Sequence, residues 1–390
     1  MSDIKSLCEK YLPKMIKLRE LIHMYPEDGF NEFKTSEIIV NELEKLGIKV
    51  QKNIAKTGVV GLIEGKYPGK TVLLRADMDA LKIQEHADVK YKSKVDGMMH
   101  ACGHDGHVAG LLGTAMILNE LKDNLHGNVK LVFQPAEERD GGALPMIEDG
   151  VLENPKVDAA FGAHLWGYLK EGEVHLKDGP MMAASDTFNI KVIGKGGHGA
   201  LPHESIDPIV ITCQIVNALQ TIVSRRINPL HSVVVTCGKI QGGDCHNVIP
   251  NEVVLEGTIR TFNEDTRKLV PQIIEDLVKG ITVSQGANYE FKYKAKYPTL
   301  INNKDMTNFA KESLIKVVGK QNVFNLNEPN MGAEDFAYFT HKVPSAFMFI
   351  GIAKNESEPA IHHNPYFKWD SKNVLVLAQS LSQIAIDYLK

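Results

Sequence analysis

The densest group of donor side chains in the chain is Met99-His100-Ala101-Cys102-Gly103-His104-Asp105-Gly106-His107. Cys102 and His104 flank a glycine, which permits a tight bend where a thiolate sulfur and an imidazole nitrogen converge on one cation. Sulfur paired with nitrogen suits zinc or another borderline ion. Taken alone, such a pair reads equally well as an ordinary loop with solvated histidines. Further donors follow apolar runs, however. TVLLRA leads into Asp77 and Asp79, VKLVFQ into Pro135-Ala136-Glu137-Glu138, and VDAAFGA into His164. The ends of buried strands are where α/β domains place their sites. Adjacent carboxylates are usually a polar turn. After a buried strand and a proline, they can instead divide labour, one oxygen on a cation and its neighbour moving a proton. A separate glycine-rich stretch, Gly194 to His203, has neither GxGxxG nor P-loop spacing. It reads as a tight hairpin carrying an exposed His198, or as a loop from which His198 reaches a substrate oxygen.

These residues need elements to hold them. Leu7, Tyr11, Met15, Leu18 and Ile22 recur at helical spacing from Ile4 to about His23, and a second helix is expected from Thr35 to Leu46 with Gly47 as its cap. Short apolar runs at Thr71 to Ala76, Val129 to Phe133 and Val157 to Ala163, with helical segments between them, indicate an α/β layer with a parallel or mixed sheet. From about Thr187 the texture changes. Strands at Phe188 to Val192, Ser232 to Ile240, Val253 to Arg260 and Tyr289 to Ala295 alternate with helices at Asp207 to Arg226 and Thr266 to Val283, a βαββαβ order that fits a small two-layer α+β unit. After Pro298 the α/β texture returns, with a strand at Ala346 to Ile350 and a last helix at Asp370 to Leu389. The expected fold is therefore α/β: a central mixed sheet flanked by helices over residues 1–185 and 299–390, interrupted by a ferredoxin-like α+β unit at 186–298.

Composition narrows the class of function. At 390 residues the chain is long enough for two or three domains, and 43 % apolar and 24 % charged residues are ordinary for a globular protein. A formal charge of −4 without a basic block gives no reason to expect nucleic acid. No run approaches a membrane span, and the N-terminal segment lacks the unbroken apolar stretch of a signal peptide. Cys8, Cys102, Cys213, Cys237 and Cys245 are odd in number and scattered, as expected of reduced cytoplasmic thiols.

Taken in order, the motifs resemble the M20 peptidase and amidohydrolase superfamily, in the branch of hippurate hydrolases, N-acyl-amino acid amidohydrolases, N-acetyldiaminopimelate deacetylases and auxin-conjugate hydrolases. They are LLRADMDAL at 73–81, MHACGHDGH at 99–107, FQPAEE at 133–138, GGALPMIEDGVL at 141–152, AHLWG at 163–167, GKGGHGALPH at 194–203, NVIP at 247–250, GTIRTF at 257–262, MGAEDFAYF at 331–339 and HNPYF at 363–367. The resemblance implies two divalent ions per subunit (Zn, Mn, Co or Ni) on Cys102, His104, Glu138, His164 and His363, with His362 competing for the last place. It implies Glu137 as general base, Asp79 as the acid that orients a site residue with Asp77 as companion, Asn247 and Arg260 as contacts to a substrate carboxylate, and His198 as oxyanion donor. The interrupting unit would be a lid and dimerisation domain, giving a homodimer or higher homo-oligomer. Cys245, His246 and Ala333 depart from the pattern without removing a ligand.

The reaction implied is metal-dependent hydrolysis of the amide bond of a small N-acyl-amino acid. A dipeptidase or carboxypeptidase could share the centre. A cysteine hydrolase with Cys102 as nucleophile, or a binding protein with one structural zinc, would need fewer of these residues. Trp166, Phe188 and Leu201 could wall an acyl pocket, or simply pack.

Overall fold

In the computed structural model, which describes residues 4–355 and 357–390, the apolar runs become inner strands of an eight-stranded mixed sheet. Its order is Lys49–Ile54, Gly58–Glu64, His126–Gln134, Tyr67–Asp77, Ala159–Lys170, Ser345–Ala353, Val174–Leu176, Val323–Asn325. The four central strands, from His126–Gln134 to Ser345–Ala353, are parallel neighbours, and antiparallel pairs flank them. Ser345–Ala353 is buried at every position, as a strand covered on both faces must be. Because the central strands run the same way, Asp77 and Gln134 finish side by side, paired in register. That single edge receives both the Asp77–Asp79 and the Glu137–Glu138 segments.

The helix His104–Leu121 is buried from His104 through Leu118, which explains why its sequence is apolar nearly all round. It packs against the helices Ile4–Met24 and Val374–Tyr388. Gly103 precedes it at φ 94°, the left-handed bend expected between Cys102 and His104. Gly106 is required by a close approach: a Cβ there would lie 2.6 Å from Leu165 Cδ1 and from the Trp369 ring.

The chain divides into two compact units. One runs to Met181 and resumes at Ile301–Glu328 and Asp335–Lys390; the other comprises Met182–Leu300 and Pro329–Glu334. The second contains a four-stranded antiparallel sheet ordered Val233–Gln241, Glu252–Thr261, Ala184–Ile193, Asn288–Ala295, with the helices Pro208–Thr221 and Glu264–Ser284. Phe188, Ile190, Ile211, Ile215 and Ile274 share its core, so Phe188 is packing and not the wall of a pocket. The helix expected to reach Arg226 ends at Thr221, and Ile222–Arg226 widens into a π-turn closed by Ile227 N donating to Ile222 O. The wider turn buries both Ile222 and Ile227.

Candidate metal centre

The site begins with Asp79. Its Oδ1 accepts Glu137 N at 3.0 Å and its Oδ2 accepts Glu138 N at 3.0 Å, so one buried carboxylate holds both peptides of the carboxylate turn. The same Asp79 faces His104 Nδ1, through its backbone oxygen at 3.0 Å and Oδ1 at 3.2 Å. With Nδ1 donating there, the Nε2 lone pair of His104 is left bare; it is buried and has no hydrogen-bond partner among the described residues. His164 repeats the arrangement, donating Nδ1 to Leu165 O at 2.8 Å and turning Nε2 to Cys102 Sγ at 3.3 Å. A ring pinned by one nitrogen with the other exposed to a cavity is how a protein presents a metal ligand.

Donor atoms gather within 4.8 Å of one another in overlapping sets: Cys102 with His104 and His164, Cys102 with Glu138 and His363, and His104 with Glu137 and Glu138. Cys102, His104 and Glu138 each belong to two of these sets. A set of thiol, imidazole and carboxylate donors is chemically suited to borderline divalent ions. The electrostatics agree. Burial disfavours a charged His104 ring, yet the Asp77 and Asp79 carboxylates outweigh it and lift its pKa to about 10. The fold has thus placed negative charge where a cation would sit. Burial, then Glu138 and Glu137, push the Cys102 thiol up. As nucleophile or as metal ligand the sulfur acts as a thiolate, and a bound cation would supply the opposite shift.

The two C-terminal histidines separate cleanly. His362 is half-buried and its Nε2 accepts Gly167 N at 2.8 Å, which occupies that nitrogen. His363, at φ 56°, turns outward from the backbone and sets Nε2 2.9 Å from Glu138 Oε1. Sequence spacing alone also left His107 unassigned. Its Nε2 accepts Leu165 N at 2.9 Å and its Nδ1 faces Asp77, so both nitrogens are engaged by protein. Asp77 is itself held by Arg75 Nη1 at 2.8 Å, and Arg75 extends to Gln134 and Asp335 at 2.8 Å each. Arg75 and Asp335 lie within the motifs at 73–81 and 331–339 but carried no role in the sequence, because their contact emerges only on folding. His164 departs from the expected position at a strand end. The strand Ala159–Lys170 continues past it, since its parallel partner keeps pairing, with His164 opposite Phe349.

The remaining expected residues lie in the second unit. His198 and Val248 pair across a short two-stranded ribbon, and Gly199 N donates to Asn247 O at 2.9 Å, so His198 and Asn247 stand together. Ala200 N donates to His198 Nδ1 at 3.0 Å, which in the neutral ring places the proton on Nε2. Arg260 is half-buried near the far end of the strand Glu252–Thr261, opposite Ser185. Gly196 N and Gly194 N tie the His198 loop to Asn251, just before Glu252. Glu252 and Arg260 are eight steps apart along the strand, about 26 Å at ~3.3 Å per residue. Within one protomer the sheet therefore keeps Arg260 at one end and the Asn247 loop at the other. Leu201 is exposed, and Trp166 stacks on Phe349 at 4.3 Å between centroids.

The sequence profile of peptidase family M20/M25/M40 matches residues 73–387. Among curated relatives, the chain is 46 % identical to an N-acyl-L-amino acid amidohydrolase of Geobacillus stearothermophilus, over 77 % of this chain and 81 % of that one. It is 43 % identical to thermostable carboxypeptidase 1 of Saccharolobus solfataricus, over 90 % and 88 %. The solved structure of the Bacillus subtilis YXEP protein, described as a dinuclear metal binding peptidase, superposes with a TM-score of 0.83 at 35 % identity, covering 98 % of this chain and 99 % of that one. Two histidines pinned through Nδ1 beside a buried thiol and two adjacent carboxylates are thus accompanied by end-to-end similarity, and the chain belongs to peptidase family M20/M25/M40 as a metal-dependent amide hydrolase.

Proposed function

We propose that the protein hydrolyses the amide bond of small N-acyl-amino acids, releasing a carboxylic acid and the free amino acid, at a two-ion centre held by Cys102, His104, Glu138, His164 and His363. The observation that carries this reading is the convergence of two pinned histidines, one thiol and two adjacent carboxylates at one sheet edge. Bound divalent ions would supply Lewis acidity and lower the pKa of water towards ~7. Zinc, manganese, cobalt and nickel all suit this donor set.

Glu137, aimed by Asp79, takes the proton from the attacking water and returns it to the departing amine. His198 donates Nε2–H to the oxyanion as the carbonyl becomes tetrahedral. Arg260 offers a planar fork to the substrate carboxylate, with Asn247 as a second polar contact. Since Arg260 and Asn247 stand at opposite ends of one strand, both reach one small substrate only if the Asn247 loop comes from a second copy. We therefore infer a homodimer in which His198 and Asn247 of one protomer serve the centre of the other. The cysteines are free thiols, which favours a cytoplasmic enzyme, and among the described residues no helix is long and apolar enough to cross a membrane.

A carboxypeptidase or dipeptidase reading is favoured by one observation, the similarity to the Saccharolobus carboxypeptidase. Release of free amino acid from N-acetyl, N-benzoyl and N-indoleacetyl amino acids and from simple dipeptides separates the two. Cleavage of the acyl-amino acids with the higher kcat/KM is the expected result. Turnover of peptides alone would transfer the assignment to the peptidase.

A further inference from the structure

Three consecutive backbone amides in the carboxylate turn donate to carboxylate oxygens. Glu137 N and Glu138 N go to Asp79, and Ala136 N goes to Glu32 Oε1 at 2.9 Å. Glu32 is fully buried and plays no part in the chemistry derived above. Its other oxygen accepts the Thr57 hydroxyl at 2.6 Å, so the carboxylate is fixed at both ends and holds the backbone amide of Ala136, the residue before Glu137.

The residue it holds is unusual. Ala136 has φ 56°, in the left-handed region that L side chains seldom adopt. The loop bearing Glu32 presses on the same turn twice more. A Cβ on Gly29 would lie 2.9 Å from Ala136 Cβ, and Asp28 receives Arg139 Nε and Nη2 at 2.7 and 2.8 Å. Residues 28–32 therefore brace the turn from behind: Glu32 holds the amide of Ala136, while Gly141 N donates to its carbonyl at 3.1 Å from within the turn.

We propose that Glu32 is a positioning residue for hydrolysis, holding Ala136 left-handed so that Glu137 meets the attacking water. The proposal rests on Glu137 as the base. Without the acceptor at position 32, Ala136 relaxes towards the right-handed basin, a φ change of about 120° that re-aims the next side chain. Displacements on the order of 1 Å at a reacting group cost roughly 100-fold in rate. Substrate affinity depends on other residues, so the loss falls on kcat.

The test compares full-length, metal-replete wild type with Glu32→Gln, Glu32→Ala, Glu32→Ala/Ala136→Gly, Thr57→Val and Glu137→Gln, following kcat, KM, bound metal and melting temperature. Glu32→Gln keeps an acceptor and is expected near wild-type kcat. Glu32→Ala is expected to lose roughly 10- to 100-fold in kcat, with KM within about twofold and metal content unchanged. Adding Ala136→Gly should recover most of that loss, because glycine holds a positive φ unaided. Thr57→Val should lose activity in the same direction by a smaller factor, and serves if Glu32→Ala does not fold. Wild-type kcat in Glu32→Ala or Thr57→Val, or a loss that tracks only the folded fraction and ignores Ala136→Gly, overturns the proposal. Near wild-type turnover by Glu137→Gln removes the base and the proposal together. An inactive Glu137→Gln beside an unimpaired Glu32→Ala leaves the base standing and removes Glu32 alone.

Discussion

Neighbouring groups set the tautomers of the histidines in this protein, and the tautomers sort ligands from supports. His107 accepts a backbone N–H at Nε2, so its proton sits on Nδ1 against Asp77 and it has no lone pair for a cation. His104 and His164 each spend Nδ1–H on an oxygen, which leaves Nε2 of His104 without a hydrogen-bond partner among the described residues and turns Nε2 of His164 to the Cys102 thiol. The paired glutamates divide in the same manner. Glu138 lies beside His363 and Cys102, and Glu137 beside Glu138 and His104. If Glu137 moves the proton, Glu137→Gln keeps its size and its backbone bond to Asp79 and loses only the base. We expect kcat to fall by ~10² to 10⁴ with metal content unchanged, measured by initial rates and elemental analysis of the same preparation. Loss of metal in step with activity would instead make Glu137 a ligand.

At the scale of elements, glycine spacing and helix contacts yield two stability predictions. Gly106→Ala should gain up to about 1 kcal/mol of helix propensity, but its Cβ would meet Leu165 and Trp369, and overpacking costs ~1–3 kcal/mol. Packing wins, so the melting temperature should fall, and a rise would contradict the close approach. The helix Val374–Tyr388 is tied to the helix Lys304–Val318 by Asp387, whose oxygens receive Lys316 Nζ at 2.7 Å and Lys390 Nζ at 2.9 Å. Burial alone would raise this carboxyl, but the two lysines hold it down at about 2. A depressed carboxylate contributes stability above its unfolded pKa of ~3.9 and loses it as pH falls through the folded value. Asp387→Asn should therefore cost about 1 kcal/mol near pH 7, since Lys316 is half exposed, and the gap from wild type should narrow steadily below pH ~4. Denaturant midpoints at pH 7 and pH 3 measure it. The mixed sheet was legible because buried parallel strands leave unbroken apolar runs, and the Cys102-Gly103-His104 bend because only glycine suits φ 94°. The last two strands of the sheet, Val174–Leu176 and Val323–Asn325, were not, being three residues each with no run to detect. Glu32 was equally silent, since its partner Ala136 lies more than 100 residues away and only folding brings them together.

At the scale of the whole molecule, the placement of Arg260 and Asn247 at opposite ends of one strand is the ground for the proposed assembly of the active site from two copies. If His198 acts from a partner copy, two individually inactive variants complement each other. Random reassortment of equal amounts of Glu137→Gln and His198→Ala dimers gives half mixed dimers with one intact site in two, so about a quarter of wild-type activity should return. Mixtures no more active than the separate variants would return His198 to its own protomer. The central claim is dependence on bound metal, and its most direct measurement is hydrolysis of an N-acyl-amino acid before chelation, after verified metal removal, and after adding back Zn, Mn, Co or Ni with bound ions counted. The account expects activity to vanish on removal and to return as occupancy approaches two ions per chain. Undiminished hydrolysis by protein verified free of metal would contradict it.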